Sequence, residues 1–172
     1  GAQQITLVTL RATRAASFPL VACGPFTEAT RAGNETLLLA LARLRLDWHL
    51  TFAGEGPDLP RLREKAAPGF SDRITFSADI DHDGLMNLFR ASKAYIDPTG
   101  LEGFPMLALH AQSEGCPVVG VRAGGMEELL VDGDNGLLVP PGDPKALAEA
   151  IVTLSSVPGL SKRACTARGI VS

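Results

Sequence analysis

Residues 94–121 read Ala94-Tyr95-Ile96-Asp97, then Pro98-Thr99-Gly100-Leu101-Glu102-Gly103-Phe104, then Pro105-Met106-Leu107-Ala108-Leu109-His110-Ala111-Gln112-Ser113-Glu114-Gly115, then Cys116-Pro117-Val118-Val119-Gly120-Val121. Ala94–Asp97 is a short strand, and Pro98 stops it. Pro105–Glu114 has the composition of a helix and is ended by Gly115. Pro117–Val121 is a second strand. Neither strand alternates apolar with polar residues, so both faces of each must be covered. Two such strands joined across a helix predict a parallel βαβ unit.

The same unit recurs on either side. Upstream, Pro19–Gly24, Trp48–Ala53 and Arg73–Ser77 read as strands. They alternate with helical patterns at Glu35–Leu46, at Leu59–Ala67 with Pro60 in the first turn and Pro68 stopping it, and at Gly84–Ala91, which sets Leu85, Leu88 and Phe89 on one face. Downstream come a short helix at Met126–Val131, a strand at Gly136–Val139, and a helix at Pro144–Leu154 with Asp143 as N-cap and Pro144 at its first position. The expected fold is α/β: a Rossmann-like, doubly wound parallel sheet of about six strands with helices on both faces. It makes one domain over residues 1–172, with its core at about 18–155. Gln4–Leu10 can form an extra strand. Residues 1–17 and 156–172 fit the rhythm poorly and are expected to be places where a longer protein is divided.

Composition narrows the function classes. The chain has 172 residues, a net charge of −3 and 45% hydrophobic content, enough for a single core. A mixed, nearly balanced charge argues against a nucleic-acid binder, as does an aromatic content of 5%. The longest purely apolar run, Leu37–Ala42, is far too short to span a membrane. Cys23, Cys116 and Cys165 are scattered, with no CxxC pair, so neither a disulfide framework nor a zinc site is expected, and a cytoplasmic setting is. Basic residues at both ends (Arg11, Arg14, Lys162, Arg163) hint at peripheral contact with an anionic membrane face.

In an open parallel sheet, ligands sit at the carboxyl ends of the strands. The loop Gly24-Pro25-Phe26-Thr27-Glu28 follows the first strand and is not a GxGxxG fingerprint. In Gly54-Glu55-Gly56-Pro57 the glycines either admit a ligand to the backbone or simply make a turn. The loop Asp97–Pro105 ends a strand and feeds a helix whose first free N–H groups, on Met106 and Leu107, make an anion site suited to phosphate. Glu102, just before that helix, either caps it or accepts hydrogen bonds from sugar hydroxyls. Glu127 and Glu128 fall in the first turn of the next helix, where acids are favoured. Asp81-His82-Asp83 has the DxD spacing, but a capping role for Asp81 is expected, and no metal. His49, inside an apolar strand, reads as a hydrogen-bonded structural residue.

From about Leu20 to Leu154 the sequence resembles the C-terminal, donor-binding domain of retaining GT-B glycosyltransferases, glycosyltransferase family 4, also called glycosyl transferases group 1. The resemblance is carried by GEGPDLPRL, by ITFSADIDHDGLMNLFRAS, by YIDPTGLEGFPMLALHAQSEGCPVVG and by AGGMEELLVDGDNGLLVPPGDPKALAEAI. It implies a two-domain enzyme whose N-terminal half, absent from this chain, takes a carbohydrate or lipid-linked acceptor. This half would hold a nucleoside diphosphate sugar without metal or other cofactor, and alone it would be inactive.

By the same resemblance Glu102 is the catalytic acid that touches the donor sugar. Gly24, Gly54, Gly56, Ile80, Gly103, Phe104, Met106 and Leu107 would face the donor. His110 stands where the family places a ribose-binding glutamate. Pro25 and Ala32 stand where it places an arginine and a lysine, and neighbouring Arg31 is the candidate replacement cation. Two rival readings keep the architecture and change the role. One is a degenerate, non-catalytic domain serving folding or partner contacts. The other is a sugar-nucleotide epimerase or phosphorylase relative, although Lys65, Lys93, Lys145 and Lys162 lack a supporting pyridoxal motif.

Overall fold

The computed structural model describes residues 17–101 and 105–156. The expected strand at Gln4–Leu10 and the basic tail lie outside them. Among the described residues six strands and six helices alternate: β1 (Phe18–Cys23), α1 (Glu28–Ala42), β2 (Trp48–Ala53), α2 (Leu59–Phe70), β3 (Ile74–Ser77), α3 (His82–Ala91), β4 (Ala94–Asp97), α4 (Met106–Ser113), β5 (Val118–Val121), α5 (Met126–Leu129), β6 (Leu137–Val139) and α6 (Pro144–Ser156). All neighbouring strands run parallel, in the order β3-β2-β1-β4-β5-β6. This is the doubly wound Rossmann-like sheet that the sequence predicts.

Strand periodicity sorts the core into two layers. Leu20, Ala22, Ile96, Val119, Val121, Leu137 and Val139 point to one face, where Leu37 and Leu41 of α1, Leu62 of α2 and Leu147 and Ile151 of α6 cover them. Val21, Tyr95, Val118 and Leu138 point to the other, beneath Met86 and Phe89 of α3, Ala108 and Ala111 of α4 and Met126 of α5. Each large apolar side chain buried this way contributes about 1.5–3 kcal/mol. Trp48, at the start of β2, is buried with its ring edge-on to Phe70 at 5.2 Å and the Arg73 guanidinium 4.2 Å from its ring centre.

Helix boundaries differ from expectation most at α1, which also ends at Ala42 rather than Leu46, and at α2. Helix α1 begins at Glu28, seven residues before the leucine pattern starts, because Thr27 and Thr30 form a reciprocal cap there. The Thr27 backbone N–H donates to Thr30 Oγ1 at 2.9 Å, and the Thr30 N–H to Thr27 Oγ1 at 3.4 Å. Helix α2 runs through Pro68 to Phe70. In the last turn a proline forfeits one backbone bond, and the packing of Phe70 on Trp48 holds the turn in place.

Candidate functional site

The strand order reverses direction between β1 and β4, so the loops leaving these two strands diverge to opposite faces and leave a crevice. A cavity of about 250 Å³ lies there. Gly24, Pro25, Thr27 and Thr30 line it from the first strand's side, Tyr95, Asp97, Thr99 and Leu101 from the fourth's, and Leu107 from α4. Cys23, the last residue of β1, also reaches it.

The wall on the β1 side is tightly fixed. The Thr30 hydroxyl donates within the loop, 3.1 Å from both Pro25 O and Thr27 O. Phe26 is buried and meets Phe52 edge-on at 5.7 Å. Its N–H donates to Glu55 O at 3.0 Å, and its carbonyl accepts the Asp58 N–H at 2.9 Å. The glycines of the Gly54-Glu55-Gly56 turn serve this junction. A Cβ on Gly56 would lie 2.1 Å from Phe26 O, and one on Gly54 3.2 Å from Gly24 N. The close backbone approach that these glycines permit is therefore to the β1–α1 loop.

Arg31 is committed to the same junction. Its Nη2 donates to Asp58 Oδ1 at 2.6 Å and its Nε at 3.1 Å. The hydrogen bonds from Arg31 hold the Asp58 carboxyl below its ordinary range and raise the Arg31 guanidinium in turn. Asp58 precedes α2 but makes no side-chain cap there, because its carboxylate is spent on Arg31. Arg31 lies between α1 and α2, beside Asn34, Arg61 and Lys65, and away from the cavity.

The wall on the β4 side is shaped by Asp97, which is buried. Its Oδ1 accepts the Thr99 N–H at 3.1 Å, the Thr99 hydroxyl at 3.0 Å and the Gly100 N–H at 3.4 Å. This turn directs the chain toward α4. Gly100 follows with φ of +63°, and a Cβ on it would lie 2.6 Å from Val121 Cγ2. Glu102, Gly103 and Phe104, on which the resemblance puts the catalytic acid and the phosphate cradle, lie outside the described residues.

The remaining candidates are dispersed along the same edge of the sheet. Leu107 lines the cavity, and Met106, the first residue of α4, is exposed. Ile80 is half-buried before α3, next to the position a Cβ on Gly84 would take. His110 is half-buried on α4 and faces His82 of α3, ring edge to ring face, with centroids 5.7 Å apart. Asp81 caps α3 by accepting the Gly84 N–H at 2.7 Å. Glu127 and Glu128 occupy the first turn of α5. His49 Nε2 is hydrogen-bonded to Thr75 Oγ1 across β2 and β3 at 2.8 Å, and burial lowers the pKa of its imidazole. Among the described residues, no three His, Cys, Asp or Glu side chains gather where a metal ion could be held. No described helix is long and apolar enough to cross a membrane.

The family model for glycosyl transferases group 1 matches residues 18–156, from the first strand to the last helix. The chain belongs to this family. The group 1 domain is 41% identical over 113 residues to a D-inositol 3-phosphate glycosyltransferase of Acidothermus cellulolyticus, a match covering 65% of this chain and 25% of that protein. It thus spans about a quarter of the length of such relatives. Among solved structures, it superposes on Anabaena Alr3699/HepE in complex with UDP-glucose with a TM-score of 0.82 at 23% identity, over all of this chain and 48% of that one. It also matches the C-terminal domain of the group 1 glycosyl transferase LpcC of Francisella tularensis, with a TM-score of 0.72 and 26% identity over 90% of this chain and 83% of that one.

The structural roles of several residues at this edge of the sheet escaped sequence reasoning. Thr27 and Thr30 were legible as a helix start, since Thr-x-x-Thr can cap reciprocally, but the leucine pattern begins later and drew the helix with it. Asp97 and Thr99 carried the Asp-Pro-Thr-Gly signature of a side-chain-stabilised turn. Asp58 and His82 had no local signal, because their partners lie 27 and 28 residues away in sequence.

Proposed function

We propose that this domain binds the nucleoside diphosphate sugar of a retaining glycosyltransferase, which passes the sugar to a hydroxyl of a carbohydrate or lipid-linked acceptor with its anomeric configuration kept. The observation that carries the reading is the cavity at the β1/β4 switch point, bounded by Gly24, Asp97, Thr99 and Leu107. A crevice at a topological switch is where open α/β sheets take nucleotides. Leu107 in the first turn of α4 places a positive helix end beside it, suited to a diphosphate. The domain's chemical share is to hold that diphosphate and stabilise the charge it gains as it leaves, with no metal.

Glu102 orients the donor sugar, and His110 takes the ribose. The acceptor is bound by an N-terminal half of the whole enzyme, which is cytoplasmic and able to dock peripherally on a membrane. The names of the relatives fit this reading: one is a D-inositol 3-phosphate glycosyltransferase, and another structure holds UDP-glucose.

A second reading draws on one specific observation. With Pro25 and Ala32 in place of cations, and Arg31 tied to Asp58, the described residues of β1, α1 and the loop between them present no unengaged basic side chain to a diphosphate. This favours a domain that has lost its donor and serves folding or partner contacts. Calorimetric titration of the full-length protein with UDP-glucose and GDP-mannose separates the two. Binding, together with turnover that falls at least tenfold in Glu102→Gln and persists in EDTA, supports the transferase. Absence of heat with every nucleotide sugar tried supports the degenerate domain.

A further inference from the structure

Asp97, the last residue of β4, is the only Asp, Glu, Lys or Arg among the described residues that line the cavity at the β1/β4 switch point, and it is 9% exposed. Its two carboxylate oxygens have different surroundings. Oδ1 accepts from the Thr99 N–H, the Thr99 hydroxyl and the Gly100 N–H. Oδ2 has no hydrogen-bond or ion-pair partner among the described residues. It is not sealed in protein either: the enclosed side-chain atoms that lack a partner there are Glu35 Oε1 and Trp48 Nε1. The turn thus fixes the carboxylate by one oxygen, and the open space that Asp97 borders is the cavity.

The turn needs a single side-chain acceptor, which Asn or Ser supplies as well as Asp. The second oxygen is surplus to it. A carboxylate held in so buried a place is stabilised by any ligand group that donates to its free oxygen. A diphosphate cannot do so: its oxygens accept, and its negative charge is repelled by that of Asp97. Sugar hydroxyls donate readily to a carboxylate. The rest of the lining suits a sugar too, with the hydroxyls of Thr27 and Thr99 beside the apolar side chains of Leu101 and Leu107. At about 250 Å³ the cavity is smaller than the ~300–1,000 Å³ of sites that enclose a whole drug-sized ligand, so it takes one end of a nucleotide sugar.

We propose that Asp97 is a specificity-determining residue for the donor: Oδ2 accepts a hydrogen bond from a hydroxyl of the sugar. The cavity then holds the sugar end, and the diphosphate lies beside it at the start of α4. This assignment rests on the donor reading above.

The test uses the full-length protein, titrated calorimetrically with UDP-glucose, UDP-N-acetylglucosamine and GDP-mannose, each compared with its bare diphosphate. The wild type is expected to bind at least one sugar form about tenfold more tightly than the bare diphosphate, the worth of one hydrogen bond to a charged group. Asp97→Asn keeps an oxygen for the turn and puts an NH₂ in place of Oδ2, a donor where an acceptor stood. The ratio should fall below about twofold, with the loss on the sugar form. Asp97→Ser keeps one oxygen for the turn and has no second, and it should lose the ratio equally. Either variant, melting cooperatively and keeping the full ratio, would overturn the proposal. So would an Asp97→Asn protein that weakens the bare diphosphate and the sugar form alike, since Asp97 would then only shape the loop. A wild type that binds a bare diphosphate as tightly as every sugar form overturns the proposal, with the donor reading still standing. A wild type that binds none of these ligands overturns both.

Discussion

Arg31, in the first turn of α1, and Asp58, just before α2, tie the starts of the two helices together: Nη2 donates to Oδ1 at 2.6 Å across 27 residues of sequence. The cation best placed by sequence to meet a phosphate is thereby turned toward the gap between α1 and α2. The same carboxylate gives up its capping role on α2 to hold it. The pair also adds a side-chain tie to the backbone bonds between Phe26, Glu55 and Asp58 that fix one wall of the cavity.

Because Arg31 holds the Asp58 carboxyl below its ordinary range, the folded state binds this proton less readily than the unfolded chain. The pair's contribution to stability is therefore full above the unfolded carboxyl pKa, about 3.9, and is lost as pH falls through the lower folded value. Asp58→Asn should be less stable than wild type at neutral pH, and the difference should shrink below about pH 4. Urea midpoints of both proteins across this range measure it. A difference that stays constant with pH would mean that the carboxylate's charge is not what Arg31 reads.

Gly56→Ala should destabilise the domain by more than about 2 kcal/mol. The added Cβ would sit 2.1 Å from Phe26 O, and that carbonyl cannot withdraw without breaking its bond from the Asp58 N–H. Chemical denaturation reads the loss. A cost below about 0.5 kcal/mol would show that the two loops part easily.

Asp97→Ala should lower nucleotide affinity as well as stability. It strips one acceptor from the Thr99 N–H, the Thr99 hydroxyl and the Gly100 N–H, at a cost of about 1–3 kcal/mol for donors left without a partner. Asp97→Asn keeps an oxygen in the same place and should retain most of both. Calorimetry and thermal melts on the two variants decide the matter. Equal damage from both would point to the charge of Asp97 rather than to the turn it builds.

Burial pushes the Cys116 thiol up to about 12, so the reactive thiolate is scarce at any pH the fold tolerates. Iodoacetamide at mildly alkaline pH should leave the Cys116 peptide unmodified until denaturant is added. Peptide mapping by mass spectrometry follows it. Rapid modification of the native protein would show that α4 and β5 open on that timescale.

The alternation of apolar runs with helical spacing settled the element order, the parallel sheet and its two covered faces, because period and breaker residues such as Pro98 and Gly115 are local properties of the chain. Where α1 begins was also local, written in Thr27 and Thr30, but a weaker signal than the leucines that follow. Tertiary structure alone decided which loops share a wall, that Gly54 and Gly56 make room for the Phe26 backbone, that Arg31 is held by Asp58, and that His82 meets His110. Each of these joins residues far apart in the chain, and such pairings depend on strand order and helix packing. Those are fixed by the burial of the whole core, and no local stretch of sequence records them.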